Sequence, residues 1–423
     1  MGSPGRTRIA AVSRENLGLR QRGPLKGITV LDLTTNISGP LATHVLSGLG
    51  ARVWKVERPD GGDDARQMAP VVGSESAYFI AINTLKKSIA LDLKNRGSSV
   101  IVKRLVEHVD ILVENYRPGV AAKLGVGWRR VRGINPKLIY ASISGYGERG
   151  PDRLRAGYDA LLQARTGLVS VTGRPRQSPV RIGVSILDAG SGVWAALGIL
   201  AALRTRDRTK RGQLISTSLF ETGVFLFAYH LLSYQLTGRL PLPQGTEHPA
   251  FSPYGSFSTS QDGTIFVGVS NDRQFARLCR CLGRSAWASD PQYQTNKNRV
   301  ANRDQLNRML DSILGKKDAE SWERILTKAG VPSARLQNAP EVLDDVQAES
   351  LSLFQTTEGP EGRLLKVPRL PLRFSKSVTG GAPRAPHLGE HTREVMTSIG
   401  FTGSEIAQFE HEGVVSQFKR IET

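Results

Sequence analysis

The chain has 423 residues, enough for two domains with sizeable cores, and its 39% hydrophobic and 22% charged residues are ordinary for a globular protein. Lys and Arg number 57 against 38 Asp and Glu, a formal net charge of +19, but the cations are spread along the whole length. There is no zinc-finger spacing, no aromatic-rich RNA-binding strand and no apolar run expected to reach the roughly 18–20 residues of a bilayer span, so no nucleic-acid or membrane partner is expected.

Residues 1–23 carry Arg6, Arg8, Arg14, Arg20 and Arg22 against one acid, Glu15. They lack the apolar stretch of a secretory signal. A mitochondrial transit peptide and a basic flexible extension both fit this composition. From 24 to 220 the pattern is that of a large α/β domain. A strand at 28–33, a helix at 41–49 and a strand at 51–57 make a βαβ unit, which requires a parallel sheet. Further strands at 110–114 and 138–143 each follow a helical segment, so the expected fold is a doubly wound, Rossmann-like sheet. A linker is expected at 221–250, Gly- and Pro-rich after 236. A small α+β domain follows at 251–340. Its strands at 255–259 and 264–269 flank Gln261-Asp262-Gly263, a hairpin signal, and helices follow near 272–283, 302–315 and 318–329. Residues 341–423 read as a Pro-rich return linker and C-terminal helices, at 391–398 and 403–412, that pack on the large domain. Cys279 and Cys281 are the only cysteines. Two apart on a helix, they point to different faces and form neither a disulfide framework nor a metal site, which suits a reducing, cytoplasmic setting.

Several motifs fail on context. The Gly-x-Gly-x-x-Gly turn of a dinucleotide site is absent between Leu33 and Leu41. A formal match at Gly145-Tyr146-Gly147-Glu148-Arg149-Gly150 runs into Pro151-Asp152-Arg153 instead of a helix. Gly190-Ser191-Gly192 lacks the spacing of a hydrolase nucleophile elbow. His387-Leu388-Gly389-Glu390-His391 matches a zinc pattern formally, but Pro386 and Gly389 predict a loop entering a helix, and no metal is expected. His44 is expected to pack on its helix.

Asp188 is the most informative residue. It closes an apolar run, 180–187, and is followed by Ala189-Gly190-Ser191-Gly192 and a helix at 193–203. The small residues are expected to let a large ligand approach. A helix N-terminus favours an ionised carboxylate, which suits a nucleophile. The alternative is an ordinary helix cap.

A series of short motifs then occurs in a fixed order: Ser38-Gly39-Pro40; 50–59 around Val53-Trp54-Lys55-Val56-Glu57-Arg58; Lys86-Lys87-Ser88 leading to Leu91 and Lys94; Glu114-Asn115-Tyr116-Arg117-Pro118-Gly119; Gly145-Tyr146-Gly147; Ala156-Gly157-Tyr158-Asp159; Thr209-Lys210-Arg211-Gly212-Gln213; and Leu388-Gly389-Glu390-His391-Thr392. Over residues 24–418 this resembles the class III coenzyme A transferases, the formyl-CoA transferase or CaiB-BaiF family. The resemblance implies that Asp188 attacks an acyl-CoA thioester, giving an aspartyl anhydride and then an aspartyl-CoA thioester, which a carboxylic acid acceptor resolves. It implies CoA contacts at Arg58, Leu91, Lys94, Asn115 and Tyr116, with Asn36, Ile37 and Ser38 near the thiol arm and Lys123 toward a phosphate. Ile37 departs from the glutamine of formyl-CoA:oxalate enzymes. No permanently bound cofactor or metal is implied; CoA is substrate. An interlocked homodimer is implied.

The same superfamily contains α-methylacyl-CoA racemases, the alternative activity. They carry a second base in a Gly-His-Asp motif that here reads Gly157-Tyr158-Asp159. A tyrosine hydroxyl, ordinarily of pKa about 10, is a poor base near neutral pH, which favours transfer over racemisation. Asp159 is expected to orient substrate or stabilise an intermediate, or to cap its own helix. Among the transferases the resemblance is to succinyl-CoA:glutarate-type enzymes, through Arg155 to Asp159, Gly245-Thr246-Glu247-His248-Pro249 and Asn271 to Phe275. It places His248 at the acyl site and leaves Arg117, Arg155 and Arg181 as candidates for the distal carboxylate of a dicarboxylate. A lower alternative is a non-enzymatic polyanion-binding protein.

Overall fold

Strand order defines the architecture. In the computed structural model, which describes residues 23–73, 75–380 and 384–418, the chain divides into two units. One takes residues up to Thr166, Gly183–Ala228 and Val346 onward; the other takes Gly167–Ile182 and Tyr229–Asp345. Apart from Gly23, the basic extension expected at 1–23 lies outside the described residues.

The first unit is built from β1 (Thr29–Asp32), α1 (Ser38–Gly48), β2 (Arg52–Glu57), α2 (Ala77–Asn83), β3 (Lys87–Leu91), α3 (Ser98–Glu107), β4 (Ile111–Glu114), α4 (Trp128–Ile134), β5 (Ile139–Ser144), α5 (Asp159–Arg165), α6 (Ile186–Thr209), β6 (Leu214–Ser218) and α7 (Leu219–Leu226). Its parallel strands run in the order β3-β2-β1-β4-β5-β6, the doubly wound order expected from the sequence. Leu31 sits between Trp54 on β2 and Leu112 on β4. Runs such as Ile111-Leu112-Val113 are buried on both faces, as a sheet covered by helices requires. The C-terminal strand Val415–Ser416 pairs antiparallel with β3 and closes that edge. Val395, Met396, Ile399, Ile406 and Val414 join the same core as the sheet.

The Asp188 region differs from expectation. The helix begins at Ile186, not near 193, and runs 24 residues. Gly190 and Gly192 read as a break in sequence, but here they serve packing. A Cβ on Gly192 would lie 2.6 Å from Ser38 O, and one on Gly190 would lie 2.8 Å from Thr222 Cγ2. The small residues therefore bring α6 against α1 and α7. By length and composition α6 also meets the requirement for a bilayer span, contrary to the expectation that no run does. Leu187, Ser191, Gly192, Ala195, Ala196, Ile199, Ala202 and Leu203 are nonetheless buried, so its apolar inner face is explained by packing in this unit.

The second unit has an antiparallel sheet of β7 (Tyr254–Ser258), β8 (Thr264–Gly268) and β9 (Ser333–Arg335). Gln261 and Asp262 both take positive φ, 59° and 54°, at the β7–β8 turn, the pairing a tight hairpin needs. Arg299 is fully buried in the same unit. Its guanidinium donates to Ser252 O (2.7 Å), Tyr293 O (2.9 Å) and Asp272 Oδ1 (2.8 Å) and lies over the Phe275 ring.

The expected linker at 221–250 is helical as far as Thr237, through α7 and the helix Ala228–Thr237. The Gly/Pro signal begins only at Gly238, and Ser218 caps α7 by accepting from Glu221 N. The return segment also holds a hairpin, Phe354–Glu358 with Leu364–Pro368.

Candidate active site

In a doubly wound sheet the connections depart to opposite sides at one point, and the crevice there is open to ligands. In this chain that point lies between β1 and β4. The turn after β1, Thr34 to Ser38, meets the turn after β4, Asn115–Tyr116. Thr35 N donates to Asn115 Oδ1 at 2.9 Å, and Asn115 Nδ2 donates to Thr35 O at 2.8 Å. Asn36 takes a left-handed φ of 64°, and its N–H donates to Asp63 Oδ1 at 2.8 Å. Gly39 is required: a Cβ there would lie 2.3 Å from Thr34 Cβ. Ile37 occupies the cap of α1 without a side-chain hydrogen bond, so its side chain satisfies none of the N–H groups of the first turn.

A buried charge network supports this turn. Lys86 Nζ bonds Asp32 Oδ2 (3.1 Å), Pro40 O (2.9 Å) and Asn83 Oδ1 (2.8 Å). Lys55 Nζ bonds Thr34 O and Asp63 Oδ2, both at 2.8 Å. Burial would raise the Asp32 pKa, but Lys86, Lys55 and the hydroxyls of Thr34 and Thr43 hold it well below the usual carboxylate range. Burial pushes Lys86 down to about 8 against the pull of Asp32. His44, buried on α1, is pushed down to about 4 by burial and by Lys86. It packs as expected. Sequence reading did not find this network, since its charges lie on separate elements; the only signal was polar residues inside apolar strands.

Asp188 is the third residue of α6, one helical turn before Gly192 and on the same side. It is not the cap; Ser185 holds that position, without a side-chain hydrogen bond. The group that satisfies the helix end is Asp159. Its Oδ2 accepts from Leu187 N at 2.7 Å and Asp188 N at 3.1 Å, and its Oδ1 accepts from Gln163 Nε2. Asp159 is thus the first residue of α5 but caps α6, not its own helix. Asp188 is half-buried. Burial, and then the charge of Asp159, push it up to about 7. The expectation that the helix end would favour its ionised form fails on magnitude. A partly exposed helix end contributes at most about 1 kcal/mol, against about 4 kcal/mol for a three-unit shift. The favourable position is also already taken by Asp159.

The remaining candidates are dispersed. Arg58, Lys94, Arg117 and Lys123 are exposed on the first unit. Arg58 pairs with Asp64. Leu91 is buried in the core and pairs with Val415 at the sheet edge, so the structure does not expose it to a ligand. Tyr116 is largely buried, and burial pushes its hydroxyl up; its N–H donates to Glu114 Oε2 at 2.8 Å. Tyr158 is 67% exposed. Arg155 pairs with Asp152 at 3.1 Å. Arg181 and His248 belong to the second unit, where the His248 ring packs against Phe251 and Tyr254. At the C-terminal motif Gly389 has a φ of 70° and the helix starts only at Thr392. Gly389 N donates to Ser88 Oγ and His391 N to Ser88 O, both at 2.9 Å. This motif docks on β3. Among the described residues no group of His, Cys, Asp or Glu is placed to hold a metal.

A doubly wound unit with an acidic helix end beside its switch point defines an α/β enzyme class, and sequence comparison gives the family. The family model for CoA-transferase family III matches residues 25–392, and the chain belongs to that family: it is a CoA-transferase. It is 36% identical over 396 residues to succinyl-CoA:glutarate CoA-transferase of Homo sapiens, covering 93% of this chain and 90% of the relative. It is 35% identical over 385 residues to acetyl-CoA:oxalate CoA-transferase of Acetobacter aceti, covering 90% and 97%. The crystal structure of a CAIB/BAIF family protein from Brucella suis superposes with a TM-score of 0.82 at 34% identity, covering 90% of this chain and all of that one.

Proposed function

We propose that this enzyme moves CoA from a dicarboxyl-CoA such as succinyl-CoA to a carboxylic acid, with Asp188 as the covalent nucleophile. The observation that carries the reading is the Asp188 carboxylate itself. It is half-buried, raised in basicity and set one turn from the close contact between α6 and Ser38. An Asp188 oxygen attacks the thioester carbonyl, the C–S bond breaks and CoA leaves as thiolate. The thiolate then attacks the Asp188 carbonyl of the anhydride and expels the first acid. The acceptor carboxylate reverses both steps with its own acyl group. Backbone N–H groups at the α1 end are the candidate oxyanion donors. Asn36, Ile37, Ser38, Asn115 and Tyr116 would hold the thiol arm, and Arg58, Lys94 and Lys123 the phosphates.

The dicarboxylate assignment rests on the relatives. Succinyl-CoA appears in the names of those acting on glutarate, D-citramalate and mesaconate, while acetyl-CoA and oxalate appear in another. A screen of acyl-CoA donors against carboxylic acids, read by mass spectrometry, should give exchange with succinyl-CoA and a dicarboxylic acceptor. Asp188→Ala should abolish exchange while retaining CoA binding; normal exchange in that variant contradicts the reading.

The enzyme is proposed to act as a homodimer. Val193, Trp194 and Leu197 on α6 and Phe225 on α7 form an exposed apolar face, with the Trp194 ring edge-on to Phe225 at 5.2 Å. Light scattering should give twice the chain mass; a monomer at catalytic concentrations rejects the dimer.

A further inference from the structure

Asp159 is placed to act on the reaction without touching substrate. Its carboxylate is buried, and both its oxygens are engaged. One holds Leu187 N and Asp188 N at 2.7 and 3.1 Å, and the other holds Gln163 Nε2. A group so committed has little capacity left for a ligand. Its charge, however, acts directly on Asp188. Among the described residues no cation counters it at Asp188. Arg165 on α5 pairs with Asp152, Glu221 on α7 takes the Ser218 hydroxyl, and α1 contributes only the buried, neutral His44.

We propose that Asp159 is a positioning residue for acyl transfer: it fixes the first turn of the Asp188 helix through two backbone N–H groups, and its negative charge favours the covalent states in which the Asp188 carboxyl is neutral. This rests on Asp188 being the nucleophile. In the free enzyme two like charges share one half-buried corner. When an Asp188 oxygen bonds the acyl carbon, the thioester C–S bond breaks and the electron pair leaves on the CoA sulfur. When the thiolate returns to the Asp188 carbonyl, the pair leaves on the departing carboxylate. In both intermediates Asp188 carries no charge, and the repulsion from Asp159 is gone. Meanwhile the α6 end stays capped, so the carboxyl is held in one orientation throughout.

The test compares wild type, Asp159→Asn and Asp188→Asn. An asparagine carbonyl still accepts the two N–H groups, so Asp159→Asn keeps the cap and removes the charge, at the cost of the acceptor that faces Gln163 Nε2. Three readouts are taken: the pH profile of kcat/KM, KM for acyl-CoA, and the fraction of enzyme carrying CoA covalently at fixed acyl-CoA. Asp159→Asn should move the acid limb of the profile about one unit lower and reduce the covalent fraction several-fold, with KM changed less than about twofold. An unmoved limb, or a tenfold rise in KM at constant kcat, overturns the proposal. The nucleophile reading fails separately, by exchange in Asp188→Asn or by no covalent CoA on wild type. Asp159→Ala, which loses cap and charge together, should lower kcat further than Asp159→Asn; equal rates in the two would reject the capping role.

Discussion

Asp32 and Asp188 stand in the same unit, each withdrawn from solvent, and their carboxyls are driven in opposite directions. Asp32 is enclosed by Lys86, the hydroxyls of Thr34 and Thr43 and the more distant Lys55, and it is held ionised. Asp188 has, among the described residues, no cation acting on it, has another carboxylate for a neighbour, and is pushed up to about 7. Burial acts alike on both, so the partners decide the sign. The paired carboxylate holds the turn that leads into α1 in place. The unpaired one is a carboxyl whose ionisation is opposed by burial and by its neighbour.

The largest expected effect falls on chemistry. Asp188→Ala should lower CoA exchange by a factor on the order of 10³ or more, while Asp32→Asn, in whatever fraction folds, should retain turnover. Exchange assays on folded protein separate the two, and equal losses would break the contrast. Stability should show the reverse. Asp32→Ala leaves Lys86 buried without its counter-ion and should cost about 3–5 kcal/mol by denaturant unfolding. A cost near zero would mean that the network is not structural.

The pH dependence sharpens the contrast further. Asp188 has a folded pKa above its unfolded value, so folding opposes its ionisation. The resulting penalty is present above about pH 7 and absent below the usual carboxylate range. Asp188→Asn should therefore be more stable than wild type at pH 8, by up to about 4 kcal/mol, with most of the difference gone at pH 4. For Asp32 the folded pKa is depressed. Its contribution is present above the unfolded pKa and is lost as pH falls into the acid range. Melting curves across pH check both signs. The smallest effect concerns an exposed pair. Arg58 and Asp64 side chains are 57% and 52% exposed, so Arg58→Ala should change stability by less than about 0.5 kcal/mol. Any large change should appear instead as a raised, salt-sensitive KM for acyl-CoA.

The sheet was legible because its strands are short continuous apolar runs separated by helices, which admit one topology class. The start of α6 was not, since Gly190 and Gly192 carry helix-breaking propensity and only the approach of Ser38 and Thr222 explains them there. Asp188 itself stood out by its place in an ordered set of motifs. Its environment did not, because Asp159 lies 29 residues earlier and reaches it through the backbone of another helix. The Asp32–Lys86 pair spans 54 residues for the same reason. Pairings set by the fold rather than by local spacing leave no period in the sequence.

Peptide mass mapping of the enzyme quenched during turnover with succinyl-CoA tests whether Asp188 carries CoA. A CoA adduct is expected on the peptide containing Asp188 and absent from Asp188→Asn. Sustained exchange with no adduct, or an adduct on another residue, would contradict that expectation.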